Sequence, residues 1–453
     1  MLKKIIGSLA VTLAMAGAPA SAETLGDALV SAYKNSNLLD QNRALLRAVD
    51  EDVAIAVSAL RPVINYVLQA QATRSNGVQG DSEGASLTIS ADMLLWDFGG
   101  SRLRIEIAKE SVLATREGLA LVEQNVLLGA VQAYMNVIRA TEFVALRTNN
   151  LSLIDQELQS AQDRFDLGEL TRTDVALAEA RRAVSEANLA AAQGDLLAAR
   201  EDYKAAIGYY PNGLNPTPKT PSLPKTVEEA IAIGLRNHPS ILQAQHQVAA
   251  AELAVKASES AIKPRLTAGA SASTTNDGLD QSSINLRLSG PIYQGGQLSA
   301  QIRKAIANRD ASRAVLLSST SEVSRRIAQA WVQRKVAIAQ LDAVEGQIRA
   351  ARVAFRGVRD EAELGARTTL DILNAEQDLL DAEAARISAS ADLYITTYAL
   401  LAEMGLLNAQ HLGLNVPIYD PSAYSNATVN APTRYVSPQG KKLDTILKSL
   451  GKN

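Results

Sequence analysis

Two different periods of apolar and polar residues run along this chain. Over about residues 101–165 and 297–362, apolar positions return at steps of four and three with no proline between them, which predicts two helices of about 65 residues. At 1.5 Å per residue each would reach roughly 95 Å. Val323, Ile327, Ala330, Arg334, Ala337, Leu341, Val344, Ile348, Ala351 and Phe355 mark a seam for a neighbouring helix in the second segment. Leu127, Val131, Tyr134, Ile138, Thr141 and Ala145 do the same in the first.

Ahead of each long helix the period drops to two. Ile64, Tyr66, Leu68, Ala70 and Ala72 alternate with Asn65, Gln69, Gln71 and Thr73, and Leu87, Ile89, Ala91 and Met93 with Ser86, Thr88, Ser90 and Asp92. Later, Leu266, Ala268, Ala270 and Ala272 precede Ile284, Leu286 and Leu288 in the same rhythm. The pattern predicts β-hairpins over 63–98 and 265–293, with strands of about ten residues, the length of a tilted strand that crosses a bilayer. A half-buried sheet on a soluble core is the commoner source of alternation. Here the charged, Ala-rich helices offer no such core. Tyr66, Trp96, Phe98 and Tyr293 fall at the strand ends nearest the helices, where interface aromatics would sit. Four strands cannot close a barrel, and lipid tolerates no open sheet edge. Copies must therefore pool hairpins: two copies would give eight strands with a filled interior, three would give twelve and room for a channel.

The chain also repeats itself at a spacing of about 200 residues, which defines its domains. TLGDALVSAYKNSN at 24–37 answers to TVEEAIAIGLRNHP at 226–239, and Arg61-Pro62 to Lys263-Pro264. Trp96-Asp97-Phe98-Gly99-Gly100 answers to Ile292-Tyr293-Gln294-Gly295-Gly296. A first repeat thus spans 23–208 and a second 226–410, joined by a Pro-rich linker at 209–225 and followed by a tail at 411–453 that lies against the helices or is disordered. Each repeat turns at a tip, 163–174 and 360–371. There Leu167-Gly168 and Leu364-Gly365 break one helix, and Thr171 with Asp174, or Thr368 with Asp371, fits a capping box for the next.

Composition sharpens this. Residues 1–22 form a secretory signal, with Lys3 and Lys4, an apolar run and Ala20-Ser21-Ala22. Its loss leaves an already acidic chain, formal charge −3, more acidic by two, and nucleic acid is not an expected partner. There is no Cys, so packing alone must hold an exported chain. No stretch beyond the signal is apolar enough for a membrane-spanning helix. His238, His246 and His411 are too scattered for a metal or general-base cluster, and no nucleophile elbow or nucleotide-binding fingerprint occurs, so neither cofactor nor enzymatic activity is expected.

The duplicated order, the Asn237-His238-Pro239 opening, the Pro291-Ile292-Tyr293-Gln294-Gly295-Gly296 strand exit and the paired Leu-Gly tips resemble the TolC-type outer membrane efflux protein family over nearly the whole mature chain. The resemblance implies a mainly α fold with a small β part. Two β-hairpins per chain assemble in a homotrimer as a twelve-stranded barrel in outer membrane lipid, continued by an α-helical barrel across the periplasm. The tips form its closed end, where a periplasmic adaptor and an inner-membrane transporter of RND or ABC type dock.

By position, the resemblance places Asp371, Asn374 and Asp378 around the aperture, Asn374 replacing a frequent aspartate. It pairs Arg367 with Asp174 as a latch, with Ala362 in place of a tyrosine used in the same latch, and leaves Leu167, Gly168, Thr171, Leu364, Gly365 and Thr368 as tip contacts for the adaptor. Read without the resemblance, the acids at helix starts are caps, and the arginine is a solvated partner of little energetic weight. The expected function is a passive duct for multidrug efflux, type I protein secretion or both. The alternative is a non-conducting periplasmic coiled-coil scaffold.

Overall fold

A computed structural model describes residues 22–74, 82–216, 218, 220–278 and 280–428, with single positions at 441 and 445. The leader through residue 21, part of the first hairpin loop and nearly all of LDTILKSL at 443–450 lie outside the described residues.

Thirteen elements occur among the described residues, in an order that repeats. Helix α1 (Leu25–Asn35) is capped by Thr24 in a full capping box with Asp27, and its counterpart α5 (Val227–Asn237) by Thr226. Helices α2 (Asn37–Ser58) and α6 (Pro239–Ser260) follow. His238 caps α6, its Nδ1 accepting from the Ser240 N–H at 3.2 Å. Burial depresses this histidine to about 4, so it is neutral at physiological pH. Strands β1 (Val63–Thr73), β2 (Ser82–Trp96), β3 (Arg265–Thr275) and β4 (Asp280–Ser289) are the predicted hairpins.

The long segments are single helices of 67 residues each, α3 (Gly100–Asp166) and α7 (Gln297–Glu363), about 100 Å in length. Each returns after its tip as a shorter partner, α4 (Arg172–Ile207) or α8 (Thr369–Glu403). The predicted α7 seam is buried at Val323, Ile327, Ala330, Ala337, Val344, Ile348 and Phe355 and half-buried at Arg334, Leu341 and Ala351, whereas that of α3 ends at Ile138, Thr141 and Ala145 being exposed. No described helix is long and apolar enough to cross a membrane.

The main core is a waist where α1, α3, α4, α5, α7 and α8 meet. Tyr134 and Tyr203 are wholly enclosed there, and the linker is tied in: the Tyr134 hydroxyl lies 2.9 Å from both the Glu23 and Asn215 carbonyls, and Tyr203 and Tyr209 donate to the Glu23 carboxylate at 2.6 and 2.5 Å. The described part of the tail also packs. Helix α9 (Pro421–Thr428) lies against α2, and Tyr424 donates to Glu51 at 2.7 Å.

All four strands form one antiparallel sheet in the order β1-β2-β3-β4. Sequence patterning predicts two hairpins; the β2–β3 pairing, running from Ser86 opposite Thr275 to Trp96 opposite Leu266, joins them across the repeats. A bulge between Leu94 and Trp96 bends β2 where it leaves the sheet.

Candidate functional site: an open apolar sheet and two helical tips

The register aligns side chains across the sheet. Ile64, Ala91, Ala270 and Ile284 lie opposite one another in one row, and Tyr66, Ile89 and Ala272 in the next, all on the same face. The other face carries Asn65, Ser90, Ser271 and Ser283, with the Ser271 and Ser283 hydroxyls 2.9 Å apart. Apolar residues on the first face are bare, Ile284 at 89% exposure and Leu68 at 73%. Water would penalise that surface; hydrocarbon would not. The outer strands β1 and β4 have no further neighbour among the described residues.

Tyr66, Trp96, Phe98 and Tyr293 are all exposed. Trp96 stacks on Phe98 with ring centroids 4.1 Å apart.

The two tips share one backbone solution. Gly168 (φ +81°) and Gly365 (φ +80°) take the left-handed conformation that closes a Schellman motif. Its bonds run from Gly168 N–H to Phe165 and Glu169 N–H to Arg164 in one tip, and from Gly365 N–H to Ala362 and Ala366 N–H to Glu361 in the other. Leu167 and Leu364 project into solvent at the turns. Both predicted capping boxes are present: Asp174 accepts from Thr171 N–H at 3.0 Å, and Asp371 from Thr368 N–H at 3.0 Å, with each threonine hydroxyl serving the opposite N–H. These bonds hold both carboxyls below the ordinary aspartate range, the Thr171 hydroxyl contributing most at Asp174 and the Thr368 N–H most at Asp371.

Asp371, Asn374 and Asp378 occupy one side of α8, with Asn374 and Asp378 exposed. Asn374 is engaged, its Oδ1 accepting from Arg181 Nη2 of α4 at 3.3 Å. Arg367 does not meet Asp174 within the chain; its Nε donates to Glu361 at 2.7 Å. Ala362 is buried beside Phe355 and Ile372.

Sequence reasoning missed a polar group above this tip. Glu376 on α8 is 4% exposed and accepts from Asn150 Nδ2 of α3 at 2.7 Å; Asn150 Oδ1 in turn accepts from the Ser185 hydroxyl of α4 at 3.1 Å. Burial above all, then the Glu157 charge, raises the Glu376 carboxyl to about 7. The available signal was spacing: Leu373, Glu376 and Leu380 follow the apolar stripe of α8, and Ala178, Ser185, Ala192 and Ala199 recur every seven residues on α4, all buried.

A sequence model described as outer membrane efflux protein matches residues 28–209 and 231–406, both repeats. The chain belongs to the outer membrane efflux protein family. It is 37% identical over 434 residues to the outer membrane efflux protein BepC of Brucella suis, covering 94% of this chain and 95% of BepC. It is 24% identical to the outer membrane protein TolC of Escherichia coli K12, covering 92% and 89% of the two chains. Its fold matches the crystal structure of CusC with a TM-score of 0.77 at 17% identity, over 85% of this chain and 92% of that one. As an outer membrane efflux protein, the chain has its place for the apolar face in the outer membrane, with the long helices reaching into the periplasm.

Proposed function

We propose that this efflux protein is a passive export duct built from three copies of the chain, each giving its four-stranded sheet to one twelve-stranded barrel continued by the helices. The observation that carries this reading is the open sheet, whose outer strands have no further neighbour among the described residues, with its bare apolar face. Closing β4 of one copy on β1 of the next removes the edges that lipid forbids. Twelve strands leave a polar lumen lined by the serine and asparagine face.

The tips then form the closed periplasmic end, Asp371, Asn374 and Asp378 lining its aperture. Three Asp371 carboxylates around a narrow axis favour cations. Arg367 and Asp174 latch the end between neighbouring copies. The projecting Leu167 and Leu364, with Gly168, Thr171, Gly365 and Thr368, receive a periplasmic adaptor, and an RND- or ABC-type inner-membrane transporter supplies the energy. The domain division at 23–208, 209–225, 226–410 and 411–453 belongs to the same reading. Purified protein reconstituted in planar bilayers tests it. Small, cation-selective conductance that rises in Arg367→Ala is the expected result, and a chain that forms no channel with either residue at 367 overturns it.

A further inference from the structure

The descending helix of the second tip is tied to helices α3 and α4 by an unusual set of groups. Glu376 of α8 sits at a three-helix junction, bonded through Oε1 to Asn150 of α3, which is bonded to Ser185 of α4. Glu376 Oε2 is buried with no hydrogen-bond partner among the described residues. An orphaned carboxylate oxygen in such a place costs folding energy when ionised and much less when protonated. Among the described residues, the Glu157 charge of α3 opposes its ionisation, while the Asn150 hydrogen bond and the Arg181 charge of α4 favour it. The side of α7 that faces α8 in this stretch buries Ile348, Phe355 and Ala362, and the α7 charge that meets α8 there is Arg352, whose Nη2 is paired with Glu383 Oε1 at 2.9 Å. Arg181 also holds Asn374, so the junction is coupled to the tip.

We propose that Glu376, Asn150 and Ser185 form a proton-operated clasp that fastens α8 to α3 and α4 when Glu376 is protonated and loosens when it ionises. The sign follows from the raised affinity for protons in the folded chain. Such a carboxyl gives stability that is fully present below the ordinary glutamate pKa and is lost as pH rises through about 7, so acid tightens the clasp and alkali releases it. The clasp needs only one chain. Its effect on transport rests on the tips being the closed end of the duct.

The test is amide hydrogen exchange of the full-length protein in detergent, read over residues 372–385 and corrected for intrinsic rates. From pH 5.5 to 8, exchange in the wild type is expected to speed up by about 25-fold, the ratio that linkage gives for a carboxyl moved from 4.5 to about 7. Glu376→Gln keeps the shape and removes the charge, so it should stay protected at both pH values. Glu157→Gln should move the midpoint down and Arg181→Gln should move it up, shifts that a merely structural role would not produce. The same pH step in Glu376→Gln, or midpoints unmoved in the other two, overturns the clasp; if Glu376→Gln does not fold, the two midpoint shifts decide. Bilayer conductance over the same pH range separates the two readings. An exchange step without a conductance step upholds the clasp and overturns the assignment of the tips as the gate.

Discussion

Arg367 Nε and Glu361 Oε2 lie 2.7 Å apart across the turn from α7 to α8, with both side chains about half exposed. The cation of the proposed latch is thus held by its own chain, and to reach Asp174 of a neighbouring copy it must change partners. Arg367→Ala removes both options and should raise channel open time. Glu361→Gln frees the arginine for the neighbour and should lower it. Single-channel recording checks the pair: variants that shift open time in the same direction would remove the exchange of partners.

Asp371 combines a cap with a charge, and the two can be separated. Asp371→Asn retains a side-chain acceptor at the cap but removes three charges from the aperture of a trimer, so cation selectivity should fall while the fold persists. Because the Thr368 bonds hold the carboxyl below its usual range, wild-type selectivity should be the same at pH 5 as at pH 7. Reversal potentials in a salt gradient report both; equal values for wild type and variant would place the carboxylate away from the ion path.

Gly168 and Gly365 hold conformations that a side chain resists by about 1–2 kcal/mol. Each single replacement by Ala should speed exchange of the Glu169 or Ala366 amide by roughly five-fold or more. Unchanged protection would mean that the turns relax without cost.

The two faces of the sheet should respond oppositely to charge. Ile284→Arg places a cation on the bare apolar face and should cost about 2–4 kcal/mol near a bilayer midplane. Ser283→Arg, one residue away on the polar face, should be tolerated. Urea unfolding in lipid vesicles measures both, and equal losses would contradict the assignment of faces.

Most of the architecture was legible because it is local. A Thr followed three residues later by Asp satisfies its own backbone, so Thr171 and Thr368 were identifiable as caps without tertiary contacts. The 67-residue helices show in spacing alone. The β2–β3 ladder was not legible, because nothing near Ser86 specifies Thr275 as its partner. Glu376 was hidden for a related reason. A charged residue type argues for solvent, and only the facing Asn150 and Ser185, brought from two other helices, make its burial tolerable. Arg367 shows a third limit: a position inherited by resemblance names a partner, but Glu361, six residues away, reaches it first.

The ladder between β2 and β3 also sets an order of events at birth. A chain exported from its N-terminus delivers the first hairpin long before Arg265 appears, and until then β2 has an uncovered side that the bilayer core will not accept. Entry into the membrane must wait for the second half of the polypeptide. The bare strip of isoleucine, leucine and tyrosine has to be sheltered during that interval by whatever escorts the nascent protein across the periplasm.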